Sequence, residues 1–171
     1  SHGLDQHRLH HINFKTAIFT NFSQDHLDYH KTMKSYLNAK LVLFKKILKQ
    51  KSKIVLDMNI NEFKILKKIA KKRKLKVVEI SKLVRKVKNT FLNAHGEFKI
   101  KNLAMAIAAI KLCGLKDSKI YESLKKVKDV NGRLELVRYF PNNVKVFVDY
   151  AHTPDALLKT LEFLKRKYGK N

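Results

Sequence analysis

The chain has 171 residues and a mass of 20.0 kDa; with 44% hydrophobic and 30% charged residues it can build one packed domain and is not globally disordered. A single cysteine, Cys113, excludes a disulfide scaffold and a Cys-rich zinc module, and five Gly and two Pro exclude collagen-like and low-complexity classes. The 38 Lys and Arg against 14 Asp and Glu give a net charge of +24 and a pI near 10.1, which leaves a polyanion partner to be weighed.

In chain order, Lys15–Asn21 (K-T-A-I-F-T-N) is a short apolar run bounded by polar residues, which predicts a buried strand. Thr32–Lys49 predicts a helix with Met33, Tyr36, Leu37, Leu41, Phe44, Ile47 and Leu48 on one stripe. Lys53–Asp57 is a second strand, a helix follows over 61–73, and Leu75–Ile80 is a third strand. The stretch 81–95 is too polar for a core strand and too weakly periodic for a helix. Asn102–Cys113 is Ala-rich and nearly all apolar, a helix expected in the interior, with Gly114 as its C′ residue. Asp117 is placed to cap a helix running to 128. Arg133–Phe140 and Val144–Tyr150 read as strands joined by P-N-N, and Pro154 opens a final helix. Strands alternating with helices predict an α/β fold, a mainly parallel sheet flanked by helices. With no repeat and no linker, 1–171 is expected to be a single domain.

Charge alone does not assign a partner. Six of the 38 basic residues are Arg, the side chain favoured for bidentate phosphate and base recognition, and the lysines are scattered, densest at Lys67–Lys76. Frequent Asn and Ile point to AT-rich coding. Nucleic acid is therefore not expected as a partner beyond non-specific attraction, and a basic nucleic-acid-binding module is kept as the alternative. No apolar run reaches the roughly 20 residues of a membrane span, and residues 1–12 lack the apolar stretch of a secretory signal, so a cytoplasmic protein without a membrane partner is expected.

Three stretches could carry chemistry. Thr20–His30 (T-N-F-S-Q-D-H-L-D-Y-H) follows the first strand, where ligands bind in open α/β sheets. Asp25, His26, Asp28 and His30 read either as a polar loop with an Asx turn or as donors to a hard cation that also takes phosphates; a zinc site lacks a third ligand fixed by spacing. Lys40 lies on the apolar stripe of its helix. Either its stem is buried and the ammonium reaches water, or it is a functional lysine whose neutral amine can take up carbon dioxide as a carbamate, an oxygen ligand for a metal. Asp149–Asp155 (D-Y-A-H-T-P-D) repeats the strand-to-loop logic, though H-T-P-D is also an ordinary helix start.

Together these stretches resemble the Mur ligases, in the branch that adds the third residue of the peptidoglycan stem peptide. The matching segments are S-H-G-L-D-Q-H-R (Ser1–Arg8), Thr20–His30, Y-L-N-A-K ending at Lys40, G-E-F-K-I-K-N (Gly96–Asn102), N-G-R-L-E (Asn131–Glu135) and V-D-Y-A-H-T-P-D-A-L (Val148–Leu157), in family order along the whole chain. The resemblance implies an ATP-dependent ligase that activates the carboxylate of UDP-MurNAc-L-Ala-D-Glu as an acyl phosphate for attack by an amino acid, meso-diaminopimelate or lysine. It implies Mg²⁺ and ATP as cofactors, His26 and a carbamylated Lys40 holding Mg²⁺, and Asn102 at the adenine. It also places Arg133, Asp149 and His152 at the phosphates and ribose, and Gln6 and Arg8 at the UDP-linked substrate.

The resemblance has gaps. The family's Gly-rich G-K-[ST] loop and an N-terminal UDP-binding domain are expected upstream of Ser1, and the amino-acid-binding domain downstream. The chain thus reads as an incomplete central, P-loop NTPase-like domain, expected to be inactive alone. Asp57–Ile60 (D-M-N-I) replaces N-A-D-D, Lys99 replaces the first Asn of N-x-x-N, and Ile80–Gly96 is short for the family's β-hairpin.

Overall fold

The computed structural model describes residues 1–90, 97–124, 126–128 and 130–169. They form two compact units, Ser1–Asp117 and Ser118–Asn171. The single domain expected over 1–171 would embrace both.

The first unit is built on three parallel strands in the order β1-β2-β3: β1 (Thr16–Ile18), β2 (Lys53–Leu56) and β3 (Lys76–Glu79). Parallel pairing requires crossovers, and the helices supply them. Between β1 and β2 run α2 (Leu27–His30) and α3 (Met33–Val42); between β2 and β3 runs α4 (Phe63–Lys72). Central strand β2 carries three consecutive buried residues, Ile54, Val55 and Leu56, because both of its faces are covered. The core joins Ala17, Phe19, Leu41, Phe44, Leu48, Leu66, Ile69 and Leu75 to that strand.

Thr32 caps α3 by accepting from the Ser35 N–H at 3.1 Å. The helix expected to reach Lys49 changes pitch on the way: Leu43–Ile47 is one π turn, in which the Leu48 N–H donates to the Leu43 carbonyl at 2.9 Å. Arg73 of the next crossover donates to the Leu48 carbonyl at 2.8 Å and closes this end.

Residues 81–90 form a helix, α5 (Ser81–Thr90), where the sequence predicts neither state. Val87 is buried and Leu83 and Val84 are half-buried, and the helix packs on α6 (Glu97–Leu112). Residues 91–96, on which the shortened-hairpin reading also falls, lie outside the described residues. Helix α6 starts earlier than expected and is not wholly interior: Ile100, Ala104, Met105, Ile107 and Ala108 are buried, whereas Asn102, Ala106 and Ile110 are exposed. Gly114 follows it with φ +92°, the left-handed residue that ends a helix. A four-residue helix, α1 (His2–Asp5), packs on α3.

The second unit holds nearly all of α7 (Asp117–Leu124), an antiparallel pair β4 (Glu135–Tyr139) and β5 (Lys145–Val148), and α8 (Pro154–Tyr168). Asp117 pairs with Lys111 at 2.9 Å. The P-N-N turn is a 3₁₀ turn with Asn142 and Asn143 at φ 62° and 61°, a conformation Asn tolerates. Thr153 caps α8, and Pro154 occupies its first turn. Among the described residues no helix is long and apolar enough to cross a membrane.

Candidate functional site

Parallel strands share one carboxyl end, so the segments leaving β1, β2 and β3 emerge on the same side of the first unit's sheet. The segment leaving β1 ends in a ring cluster. His26 adopts a left-handed backbone, φ 54°, and its N–H donates to Asp25 Oδ1 at 2.8 Å while its Nε2 lies 3.5 Å from Asp25 Oδ2. Such a conformation is strained for a non-glycine residue, and the turn into α2 holds it in place.

Tyr36 is the hub of this cluster. It is buried at 4% exposure, meets His26 edge-on at 5.8 Å and stacks on His30 at 5.3 Å. The half-buried Lys40, one turn along α3, places Nζ 4.8 Å from the centre of the same ring. His26 and Lys40 are thus brought to one side chain. His2 of α1 meets His26 at 4.8 Å and stacks on His30 at 5.3 Å, and Tyr29 donates to Asp5 at 3.1 Å. Burial holds the His30 imidazole below its ordinary pKa; the Asp5 carboxylate opposes this, and His2 and His26 reinforce it. Gln6 and Arg8 are exposed in the turn after α1, where the Arg8 N–H donates to the Gly3 carbonyl at 2.9 Å.

Beyond β2, Asp57 is buried and ionised. Burial alone would raise its pKa, but the Asn59 N–H and the Lys101 ammonium outweigh it and hold the carboxyl below the usual range. Asn102, adjacent to Lys101 on α6, is exposed.

The second unit gathers the other predicted residues. The Arg133 guanidinium lies 4.4 Å from the centre of the Tyr150 ring, and His152 meets that ring at 4.9 Å and reaches the Tyr150 carbonyl through Nδ1 at 2.9 Å. Asp149 accepts from the Ala151 N–H at 2.9 Å, an Asx turn that shapes the exit from β5. Arg133, Tyr150 and His152 are exposed and Asp149 half-buried, a polar surface with cationic and aromatic faces.

The donors suit some ligands and not others. Among the described residues no three His, Cys, Asp or Glu side chains are grouped to hold a metal ion. One imidazole and one amine suit Mg²⁺ only where phosphate and water oxygens complete the shell and the amine becomes a carbamate oxygen donor. Arg133 and His152 suit phosphate oxygens, and an exposed carboxamide such as Asn102 can pair with a base edge. Sequence reasoning missed Tyr36 as a hub, His2 as a partner of His30, Tyr150 as the support of Arg133, and the Asp57–Lys101 pair. The signals available were the four-residue step from Tyr36 to Lys40 and the carboxylate at 57 where the motif has Asn.

The family model described as Mur ligase middle domain matches residues 1–95. The UDP-N-acetylmuramoyl-L-alanyl-D-glutamate--2,6-diaminopimelate ligase of Rickettsia bellii (strain RML369-C) is 39% identical over 96% of this chain and 38% of its own length. The like-named protein of Clostridium botulinum (strain ATCC 19397 / Type A) is 39% identical over 92% of this chain and 36% of its own. The chain therefore spans well under half the length of these relatives. A solved structure of a protein with the same name superposes with a TM-score of 0.67 at 27% identity, over 96% of this chain and 38% of that one. UDP-N-acetylmuramoylalanyl-D-glutamyl-2,6-diaminopimelate--D-alanyl-D-alanyl ligase from Acinetobacter baumannii, at 13% identity and a TM-score of 0.64 over 92% of this chain and 38% of its own, shares the fold.

Proposed function

The chain belongs to the Mur ligase middle domain family, and from that premise we propose that it supplies the central ATP-binding domain of a cytoplasmic, ATP-dependent ligase of peptidoglycan synthesis. In that reading both units are parts of one such domain. ATP phosphorylates the free carboxylate of UDP-MurNAc-L-Ala-D-Glu, the amine of a diamino acid attacks the acyl phosphate, and phosphate leaves as the amide forms. The relatives are named for 2,6-diaminopimelate, which favours that amino acid over lysine.

The observation that carries the reading is the meeting of His26 and Lys40 on Tyr36. The Lys40 ammonium gives up a proton, and the neutral amine then adds carbon dioxide with loss of a second proton, which converts a cation into an anionic oxygen donor beside an imidazole. Mg²⁺ bound there supplies charge neutralisation for the transferring phosphoryl group. Asn102 contacts the adenine, while Arg133, Asp149 and His152 line the phosphates and ribose. Gln6 and Arg8, exposed beside the ring cluster's first helix, hold the UDP-linked substrate. Catalysis of this kind rests on positioning and electrostatics, so the 171 residues alone, without a G-K-[ST] loop in their sequence, are expected to bind nucleotide weakly and not to ligate.

The test is ¹³C NMR of a ligase of full family length carrying this chain as its central segment, in ¹³C-bicarbonate with Mg²⁺ and ATP. A carbamate resonance that disappears in Lys40→Ala together with ligation supports the reading. Undiminished ligation by Lys40→Ala contradicts it.

A further inference from the structure

The carboxyl end of β2 carries a charge that the proposed chemistry does not use. Asp57 follows the strand directly and is 2% exposed. Its Oδ1 accepts from the Asn59 backbone at 2.9 Å and from the Asn59 amide at 3.0 Å, and its Oδ2 lies 3.0 Å from Lys101 Nζ. Lys101 stands in the second turn of α6 and immediately precedes Asn102.

A buried pair of this kind adds little net stability, because desolvating both charges offsets most of their attraction. Its effect is geometric. Asn102 is exposed and is not held by its own burial, so its place depends on how the start of α6 is fixed to the sheet. The pair joins α6 to β2 across 44 residues of sequence, at the end of the strand where ligands bind. The two ends are unequally buried, with side-chain exposures of 31% for Lys101 and 2% for Asp57. Removing Lys101 strands a carboxylate in the interior. Removing the charge of Asp57 leaves an ammonium that can reach water along its flexible stem.

We infer that the Asp57–Lys101 ion pair is a positioning device that pins α6 to the ligand end of β2 and so sets where Asn102 presents its carboxamide to the nucleotide base. The inference rests on the nucleotide role proposed for Asn102. In this inference Asp57 and Lys101 act through Asn102.

The test compares the 171-residue chain with Lys101→Met, Asp57→Asn, Lys101→Arg and the double variant Asp57→Asn/Lys101→Met, using thermal melting, adenosine titration and the NMR signals of the Asn102 side-chain amide. Lys101→Met should melt lowest, and the double variant should regain most of that loss, since no charge is left buried and unpaired. Adenosine affinity should nevertheless remain about tenfold weaker in the double variant, with the Asn102 amide signals displaced. Lys101→Arg, which keeps the charge pair, should bind within about twofold of the unmodified chain. Affinity that recovers together with stability in the double variant means a merely structural pair and overturns the inference. Asn102 signals unmoved by Lys101→Met overturn it as well, whether or not adenosine binds. Failure of the unmodified chain to bind adenosine overturns the nucleotide role of Asn102 and this inference with it.

Discussion

The ammonium of Lys40 lies 4.8 Å from the centre of the Tyr36 ring, one helical turn back on the same helix, and that ring also receives the edge of His26 at 5.8 Å. A half-buried lysine whose ammonium faces an aromatic ring has that ring as a partner on its own helix. This relationship makes the position of the amine testable apart from its chemistry.

In a ligase of full family length carrying this chain, Lys40→Ala is expected to abolish ligation, and a short carboxylic acid should restore part of it by replacing the lost carbamate oxygens. Tyr36→Leu removes the ring but keeps the amine. It should weaken the apparent Mg²⁺ affinity by about 10–100-fold, the usual cost of losing a group that orients a ligand. Activity titrated against Mg²⁺ separates the two variants, and equal Mg²⁺ dependence in Tyr36→Leu and the unmodified enzyme would remove Tyr36 from the site.

His30 and Asp57 both shape the acid side of the stability profile. The folded-state pKa of His30 is lowered, so the unfolded chain takes up its proton first. Its contribution is complete above about pH 6.5 and is lost as pH falls from there through the folded value. Asp57 is also lowered, so its contribution is complete above about pH 4 and is lost as pH falls below that toward its folded value. As pH falls, the contributions of His30 and Asp57 to the melting temperature should be lost in two separate stages, His30 first. His30→Phe, which keeps a stacked ring on Tyr36, should remove the first stage and leave the second; an unchanged first stage would assign it to another group.

Phe44 is 2% exposed inside the π turn and packs against Phe19 at 6.0 Å. Phe44→Ala should cost about 3–5 kcal/mol, the range for truncating a buried aromatic, read as a shift of the urea midpoint. A loss below about 1 kcal/mol would place the core of this unit elsewhere.

If the charge of +24 reflects coding drift, duplex DNA should bind weakly, without sequence preference, and be nearly released at about 200 mM salt. Tight, sequence-selective binding that survives this salt would favour a nucleic-acid module.

Local patterns made the elements legible and left the tertiary pairings out of reach. The apolar runs at 15–21, 53–57 and 75–80 gave the three parallel strands, and the stripe from Met33 to Leu48 gave the helix that carries Lys40. The π turn was invisible, because Leu43–Ile47 has the composition of the helix it continues. Helix α5 escaped although Leu83, Val84 and Val87 recur at helical spacing, because these three apolar residues are few in a lysine-rich stretch. The four-residue helices α1 and α2 are too short for any period to show. Lys40 stood out since a charge on an apolar stripe is a local anomaly. The stacking of His2 on His30 and the reach of Lys101 to Asp57 depend on residues 28 and 44 positions apart, and no local rule reports them.

The central claim, that this chain contributes the adenosine side of a ligase's nucleotide site, is tested most directly by calorimetry of adenosine, ADP and ATP at two salt concentrations, with and without Mg²⁺. The residues proposed for adenine and ribose are present, while no G-K-[ST] loop lies within the 171 residues to neutralise the β- and γ-phosphates. All three ligands should therefore bind on the order of millimolar, about −4 kcal/mol. Any advantage of ATP should vanish at the higher salt, where exposed charges are screened within about 10 Å. No saturable adenosine binding, or micromolar Mg²⁺-dependent ATP binding that persists at the higher salt, would contradict this account.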